Sequence, residues 1–261
     1  TTEIYTLSLH DALPIYAVII VGFVHQTPLK GVFVDTVKSY ETPLGKVPVD
    51  QALAQKIRSF NPILNDQPLG DLIEHSIEVQ IPFLQETVQN LKIVAVYIGM
   101  QDPETASVLA DAMVKAIHGR NVLLVFSTDL CHYKPDTEVK MEDLRLISFL
   151  ESSDLNQFIN AHRAGEVEAC GFGPLLTMLK VQQKMGWGKP RLLKHATSGD
   201  VTGDRRAVVG YAALEIREEP SLTDEQKNKL LKYVRATLES KIAKKGPEPK
   251  LDVQSPVLSE K

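Results

Sequence analysis

Short runs of consecutive apolar residues constrain the fold of this chain more than any other sequence feature. They are YAVIIVGFV at 16–24, KIVAVYI at 92–98 and NVLLVF at 121–126. Strands that are apolar on both sides lie buried in parallel sheets that helices cover on both faces. Helical patterns separate these runs, so the sequence predicts an α/β protein with a mostly parallel sheet and helices on both faces.

Turn and capping residues predict the remaining elements. A turn is expected at Thr42-Pro43-Leu44-Gly45, and Asp50 is expected to cap the helix that follows it. Pro82 should kink or restart the helix in which it lies. Further strands are predicted over 31–37, 191–195 and 207–216, and helices over 51–60, 72–88, 103–118, 139–150, 154–162 and 173–186.

Composition excludes several classes of function. The chain has 261 residues, a net charge of −4 and no apolar run long enough to span a bilayer, so neither a membrane protein nor a sequence-independent nucleic-acid binder is predicted. Its 2 cysteines cannot form a disulfide framework, which favours a reducing compartment and a cytoplasmic location. A small molecule, a peptide or another protein is left as the partner.

The chain is predicted to have three parts. Residues 1–15 resemble the translation of a common sequencing adapter and are excluded from the fold prediction. Residues 16–217 form the predicted α/β domain. Residues 218–261 read as a linker and an amphipathic helix over 223–244, whose apolar stripe consists of Leu230, Val234, Leu238 and Ile242.

Residues with metal-binding or acid–base side chains follow the predicted strands. His25 follows the first strand, and Asp129 and His132 follow the strand at 121–126. Cys170 lies on a glycine-rich turn that opens a helix, where the helix amides are expected to lower the pKa of its thiol. The carboxyl ends of parallel strands form the binding edge of a sheet, so these side chains are expected to converge there and to hold iron, copper or zinc.

Four ordered motifs resemble those of the Memo family, the protein B component of the AmmeMemoRadiSam system. They are EHSIEVQIP at 74–82, STDLCHY at 127–133, CGFGP at 170–174 and VVGYAA at 208–213. The resemblance covers residues 16–217, and the segment 218–261 resembles the start of a fused AMMECR-type protein A domain. It implies the α/β architecture of class III extradiol dioxygenases.

The resemblance also implies roles for individual residues. His25, in Gly22-Phe23-Val24-His25-Gln26, and Cys170 match metal ligands of the family, and Asp129 and His132 match pocket residues that could act as general acid and base. The implied metal is non-haem iron, with copper or zinc as alternatives because a cysteine replaces the usual carboxylate. The family's first ligand histidine is expected upstream of Tyr16, so weak metal binding by this chain is predicted.

Two interpretations of function remain open at this stage. The first is metal-dependent oxidation of a small molecule, and the second is a non-catalytic module that binds a peptide, protein A or the radical-enzyme component of the system. His75 and Glu78 either orient a metal ligand from one helix face or form a surface pair. Cys131 is expected to be a small buried residue, and His118, His162 and His195 to be surface or packing residues.

Overall fold

A computed structural model describes residues 15–25, 30–65, 74–218 and 224–241. The chain divides into two compact units, Thr1–Arg217 and Glu218–Lys261. The adapter-like segment, apart from Ile15, and the tail beyond residue 241 lie outside the described residues.

The described strands and helices alternate along most of the first unit. The strands are β1 (Ala17–Phe23), β2 (Val32–Val34), β3 (Ser39–Thr42), β4 (Gly45–Pro48), β5 (Leu64–Asn65), β6 (Ile93–Ile98), β7 (Val122–Phe126), β8 (His132–Lys134), β9 (Arg191–Thr197) and β10 (Val208–Glu215). The helices are α1 (Gln51–Arg58), α2 (Ile81–Thr87), α3 (Pro103–Ile117), α4 (Asp136–Ser152), α5 (Leu155–Arg163), α6 (Phe172–Met185), α7 (Ser198–Thr202) and α8 (Asp224–Lys241).

The main sheet has five strands in the order β5-β2-β6-β1-β7. The central strand β1 runs parallel to both β6 and β7. Only β2 runs antiparallel to its neighbour β6 among the pairs described in this sheet. The predicted fold class is therefore confirmed.

Both faces of β1 are buried, as its continuous apolar run predicts. Ile19 packs into a core that contains residues of α1, α3 and α6, whereas Ile20 packs on the opposite face with Ile77 and Ile81. Burying an isoleucine side chain fully contributes about 1.5–3 kcal/mol. This two-sided burial fixes β1 and, with it, the position of the residues that leave its carboxyl end.

The last strands form a separate sheet, contrary to the expectation of a single strand set. β8, β10 and β9 form a three-stranded antiparallel sheet, in that order. α4 packs against β9 and β10. The alternating burial of β10 suits a sheet with one covered face. Its partner β8 lies far away in sequence, so that pairing could not be predicted from the local pattern.

The segment 72–88 also differs from the single helix predicted for it. Residues 71–73 lie outside the description, residues 74–77 are not helical, a short 3₁₀ helix spans Glu78–Gln80, and α2 begins at Ile81. Pro82 occupies the first turn of α2, where its missing N–H costs nothing, so its predicted role in restarting the helix is confirmed. His75 and Glu78 therefore do not share a helix face.

The second unit contains α8, in the region predicted to be helical. Val234 of the predicted apolar stripe lies in this helix and is partly exposed, whereas the side chains of Leu238 and Ile242 are outside the described residues. No helix in the described ranges is long and apolar enough to span a membrane.

Candidate metal centre

The predicted site residues leave the sheet at one edge, where β1 and β7 end side by side. His25 lies two residues beyond the end of β1. Ser127, the first residue after β7, donates its backbone N–H to the carbonyl oxygen of Val21 at 2.9 Å. Because β1 and β7 are parallel, His25 and the loop 127–131 emerge at the same carboxyl edge.

His25 is held by the buried carboxylate of Glu74. The backbone N–H of His25 donates to Oε2 of Glu74 at 2.8 Å, and its ring Nδ1 lies 3.0 Å from Oε1. The same carboxylate accepts the backbone N–H groups of His75 and Ser76, each at 2.8 Å. The side chain of Glu74 is only 2% exposed, so these N–H groups replace the hydrogen bonds that its carboxylate would make with water.

The charge of Glu74 fixes the tautomer of His25. Burial raises the pKa of Glu74, but the hydrogen bonds from Ser76 and His25 outweigh burial and hold the pKa below its usual range. An ionised carboxylate only accepts hydrogen bonds, so Nδ1 of His25 carries the proton. In the neutral imidazole Nε2 then has a lone pair, for which no hydrogen-bond donor is found among the described residues, and this is the arrangement of a metal-ligating histidine with a supporting carboxylate.

Local sequence explains why Glu74 reaches His25. Ser76 donates its hydroxyl to the carbonyl oxygen of Phe23 at 3.0 Å and so joins the segment to the end of β1. A Cβ on Gly22 would lie 2.4 Å from Oγ of Ser76, so this close approach requires glycine. Glu74 was not predicted as a site residue. In the sequence, only its position directly before the histidine of the EHSIE motif could have indicated such a role.

His75 and Glu78, which the sequence offered as orienting residues, are placed differently. The ring of His75 stacks on that of His25, with centroids 4.7 Å apart. Ligand atoms of His25, Glu74 and His75 all lie within 4.8 Å of one another, whereas Glu78 is outside this group. The residue that hydrogen-bonds and orients His25 is therefore Glu74, which precedes the helical part of this segment.

Cys170 lies with Asp129 and His132 in a second group of potential ligands. The ligand atoms of these three residues lie within 4.8 Å of one another. Sγ of Cys170 accepts the backbone N–H of Asp129 at 3.1 Å. The side chain of Gln101 bridges the turn, because it donates to the carbonyl oxygen of Cys170 at 2.9 Å and accepts the N–H of Gly173 at 2.7 Å.

Burial governs the thiol of Cys170 more than the helix does. Burial raises its pKa above the usual value, and the hydrogen bonds from Asp129 and Thr128 only partly offset this effect. The expected lowering of the thiol pKa by the amino terminus of α6 is therefore wrong. Cys170 lies two residues before the first residue of α6, beyond the strongest part of that helix's field.

His132 lies between two carboxylates. Its Nε2 is 3.9 Å from Oδ2 of Asp129, and its Nδ1 is 3.8 Å from Oε1 of Glu168. Both separations are longer than direct hydrogen bonds, so the ring can accept a further partner. Of the four predicted residues, the structure groups Asp129, His132 and Cys170 together and groups His25 with Glu74 at the same sheet edge.

Cys131 is buried, as predicted. Its thiol donates to Oε2 of Glu142 at 3.0 Å, and Glu142 also accepts a hydrogen bond from Lys134 at 2.7 Å. Burial, followed by the hydrogen bond to Glu142, raises the pKa of Cys131 to about 12. Cys131 is therefore a neutral thiol at physiological pH, and Cys170 is the more exposed of the two.

Tyr133 forms a bulge directly after His132. Val208 and Val209 of β10 face Lys134 and His132, so Tyr133 is the extra residue, and it has a left-handed φ of 56°. Its side chain is 77% exposed. Bulges beside functional sites change the direction of neighbouring side chains, which here concerns His132.

The backbone of Tyr133 gives a stability prediction. Glycine adopts the left-handed region without strain, whereas a β-branched residue adopts it poorly, so Tyr133→Gly is expected to be at least as stable as the unsubstituted chain and Tyr133→Val to be less stable by about 1–2 kcal/mol. Urea unfolding of both variants measures the difference. A glycine variant less stable than the valine variant would contradict the assigned conformation.

The sequence model of the Memo-like protein family matches residues 4–215. This chain belongs to the Memo-like family. That match contains both ligand groups and every strand of the first unit.

Archaeal relatives carry the same family name. A MEMO1 family protein from Sulfolobus acidocaldarius is 38% identical over 178 residues, which is 67% of this chain and 62% of that protein. One from Methanosarcina mazei is 37% identical over 182 residues, covering 68% of this chain and 67% of that protein. This chain therefore spans only about two thirds of the length of these Memo-like relatives.

A solved structure shows a weaker similarity to this Memo-like chain. The crystal structure of an uncharacterized protein from Escherichia coli K12 has a TM-score of 0.48 and 19% identity, covering 80% of this chain and 92% of that chain. A similarity at this level supports no statement about function.

Proposed function

We propose that this Memo-like chain binds a redox-active first-row metal ion, iron or copper, and that the loaded site oxidises a small molecule. The observation that carries the proposal is the hydrogen bonding of His25 to Glu74 through its backbone N–H and its ring Nδ1, since the neutral ring then offers Nε2 as its ligand atom. Zinc acting as a Lewis acid is the alternative metal chemistry.

The donor groups at this edge suit such an ion. An imidazole and a thiolate together favour copper, zinc or iron over magnesium or calcium. Two donors of one ion lie at most about 4.6 Å apart when bonds are 2.0–2.3 Å long. Ligand atoms of Cys170, His132 and Asp129 lie within 4.8 Å of one another, which is close to that spacing. His25 belongs to a separate group with Glu74 and His75, so the proposal that His25 and Cys170 hold one ion requires the two groups to face a common ion.

Each residue has a proposed task. His25 and Cys170 hold the ion, and Glu74 orients His25. His132 and Asp129 hold or move a proton at Nε2 and Oδ2, which are 3.9 Å apart. The bound ion supplies electron transfer or Lewis-acid polarisation. Substrate approaches from solvent, because the side chains of Asp129 and Glu168 are each nearly half exposed.

Cobalt(II) titration tests the thiolate ligand with a matched control. Cys170→Ala is expected to abolish the near-ultraviolet absorption band that a thiolate bound to Co²⁺ produces, whereas Cys131→Ala keeps it because Cys131 is a buried neutral thiol. Imidazole is included in a parallel titration, since the family resemblance implies one more histidine ligand than residues 16–217 match. Absorption spectra of the anaerobic protein give the measurement.

Two further variants divide the roles of the histidines. His25→Ala is expected to weaken Co²⁺ binding by more than about 10-fold, and His132→Ala to leave the thiolate band in place. Loss of the band in Cys131→Ala but not in Cys170→Ala would refute the assigned ligand. Absence of metal binding by the unsubstituted chain, with and without imidazole, would refute the metal proposal. Oxygen uptake then tests for oxidation.

A non-catalytic binding module is the second candidate. The exposed side chains of Tyr133 and Tyr211 favour it. Tyr133 directly follows His132, and Tyr211 directly follows Gly210, which is hydrogen-bonded to Leu130 and Cys131 of the loop. Aromatic side chains are enriched at protein interfaces. The proposed partners are a peptide, protein A or the radical-enzyme component, and a cytoplasmic location is supported by two free thiols.

A further inference from the structure

A buried carboxylate on α4 lies behind the loop that carries Asp129. Asp143 has a fully buried side chain, and its Oδ2 is 2.6 Å from Nε2 of His195 on β9. Its other oxygen, Oδ1, accepts the backbone N–H of Cys131 at 3.0 Å. One carboxylate therefore joins a helix, a strand and the loop.

Gly210 on β10 makes room for this carboxylate. A Cβ at this position would lie 1.8 Å from Oδ2 of Asp143, so a larger residue would force either Asp143 or the backbone to shift. Gly210 also donates its N–H to the carbonyl oxygen of Cys131 at 2.9 Å and accepts the N–H of Leu130 at 3.0 Å. The loop is thus bonded to β10 at the point where Asp143 approaches it.

These contacts fix three successive amides of the loop. The N–H of Asp129 donates to Sγ of Cys170, that of Leu130 to Gly210 and that of Cys131 to Asp143. Cys131 lies between Leu130 and His132, so the amide that Asp143 binds separates the two proposed proton-carrying residues. A shift of this peptide would change both Asp129 and His132 relative to Cys170.

We propose that Asp143, supported by His195 and admitted by Gly210, is a positioning residue that holds Asp129 and His132 at their distances from Cys170. The inference rests on the proposed metal site. A buried carboxylate is costly unless it is paired and hydrogen-bonded, so a role in packing alone would be served better by an apolar residue.

The same helix provides a matched control. Asp136 is also a buried aspartate of α4, but it binds Thr197, Lys140 and Arg205 instead of the loop. Its removal costs buried hydrogen bonds of the same kind. A general loss of stability should therefore follow from Asp136→Ala and Asp143→Ala alike, whereas a change in the site should follow only from the second.

The experiment compares Co²⁺ binding by variants of the 261-residue chain. Asp143→Ala and His195→Phe are expected to weaken Co²⁺ binding, followed by the thiolate band, by about 10-fold or more, as changes behind metal ligands commonly do. Asp143→Asn and His195→Gln keep groups that can form the same hydrogen bonds and are expected to retain most of the affinity. The Co²⁺ affinity of Asp136→Ala should stay within about 3-fold of that of the unsubstituted chain, well short of the roughly 10-fold loss expected for Asp143→Ala.

Amide hydrogen exchange of residues 129–131 provides a readout that needs no metal. Faster exchange there in Asp143→Ala, and not in Asp136→Ala, is expected. If Asp143→Ala does not fold, His195→Phe carries the comparison. The inference would be overturned if Asp143→Ala, His195→Phe and Asp136→Ala had equal Co²⁺ affinities and equal exchange rates at the amides of residues 129–131. If the unsubstituted chain binds no Co²⁺, the metal proposal fails, and the exchange data alone support or overturn the positioning role.

Discussion

Replacing Gly210 by alanine is expected to lower the free energy of unfolding by about 3 kcal/mol, at the upper end of the usual cost of overpacking. The new methyl group would lie 1.8 Å from Oδ2 of the buried Asp143 side chain. Neither partner can move freely, because Asp143 is bonded to His195 and Cys131 while Gly210 is bonded to the loop. For a domain of this size the melting temperature should fall by roughly 6–12 °C.

Gly173→Ala provides the control for this prediction. A Cβ on Gly173 would lie 3.2 Å from Cγ2 of Ile98 and 3.3 Å from Cβ and Cγ of Gln101, distances that require shifts of only a few tenths of an ångström, and alanine favours the helix in which Gly173 lies. Its stability is expected to remain within about 1 kcal/mol of the unsubstituted chain. Equal losses in the two variants, measured by thermal and urea unfolding, would show that Asp143 adapts to the added methyl group.

Glu74→Gln is expected to affect both stability and the site. The glutamine has one acceptor oxygen where the carboxylate has two, and its NH₂ group would face N–H donors of His25, His75 or Ser76. Stability should fall by about 1–3 kcal/mol at neutral pH. Metal affinity should fall by about 10–100-fold, because His25 loses the carboxylate that fixes its tautomer.

The stability loss in Glu74→Gln should depend on pH. The pKa of Glu74 in the folded protein lies below its unfolded value, so the carboxylate stabilises the fold fully above the unfolded pKa of about 4.3. This contribution disappears as the pH falls through the folded pKa. The stability difference between the unsubstituted chain and the variant should thus be constant near neutral pH and shrink below about pH 4.

Glu78→Gln is the matched control for Glu74. Glu78 lies in the neighbouring 3₁₀ helix and outside the ligand group that contains His25. A substitution at such a position usually changes stability by no more than about 0.5 kcal/mol. Urea unfolding across pH and Co²⁺ titration measure both variants. A larger loss of stability and Co²⁺ affinity in Glu78→Gln than in Glu74→Gln would show that Glu78, not Glu74, orients His25.

Much of the main sheet follows from local sequence. The apolar runs at 16–24 and 92–98 became β1 and β6, which are buried at every position, because a strand buried on both faces needs apolar residues throughout. The run at 121–126 became β7, which lies at the edge of the sheet and is only partly buried. Asp50 caps α1 as predicted, since its Oδ1 accepts the N–H of Leu53. The antiparallel sheet was not predicted, because β8 is only three residues long and pairs with a strand more than 70 residues away.

The candidate site was predictable only in part. His25, Asp129, His132 and Cys170 could be selected because they follow strands or open a helix, and the structure places them at one sheet edge. Their grouping depends on contacts across 41 residues, as between Asp129 and Cys170. Glu74 and Asp143 escaped prediction because a carboxylate that binds backbone N–H groups has no characteristic spacing in sequence.

The loop between β7 and β8 belongs to two sheets at once. It leaves the parallel sheet after Phe126 and enters the antiparallel sheet at His132. His25 is therefore anchored to one layer, and His132 to the other. We expect that sliding of the small sheet relative to the large one would alter the spacing between these two histidines, so a stiff contact between the two sheets would keep that spacing constant.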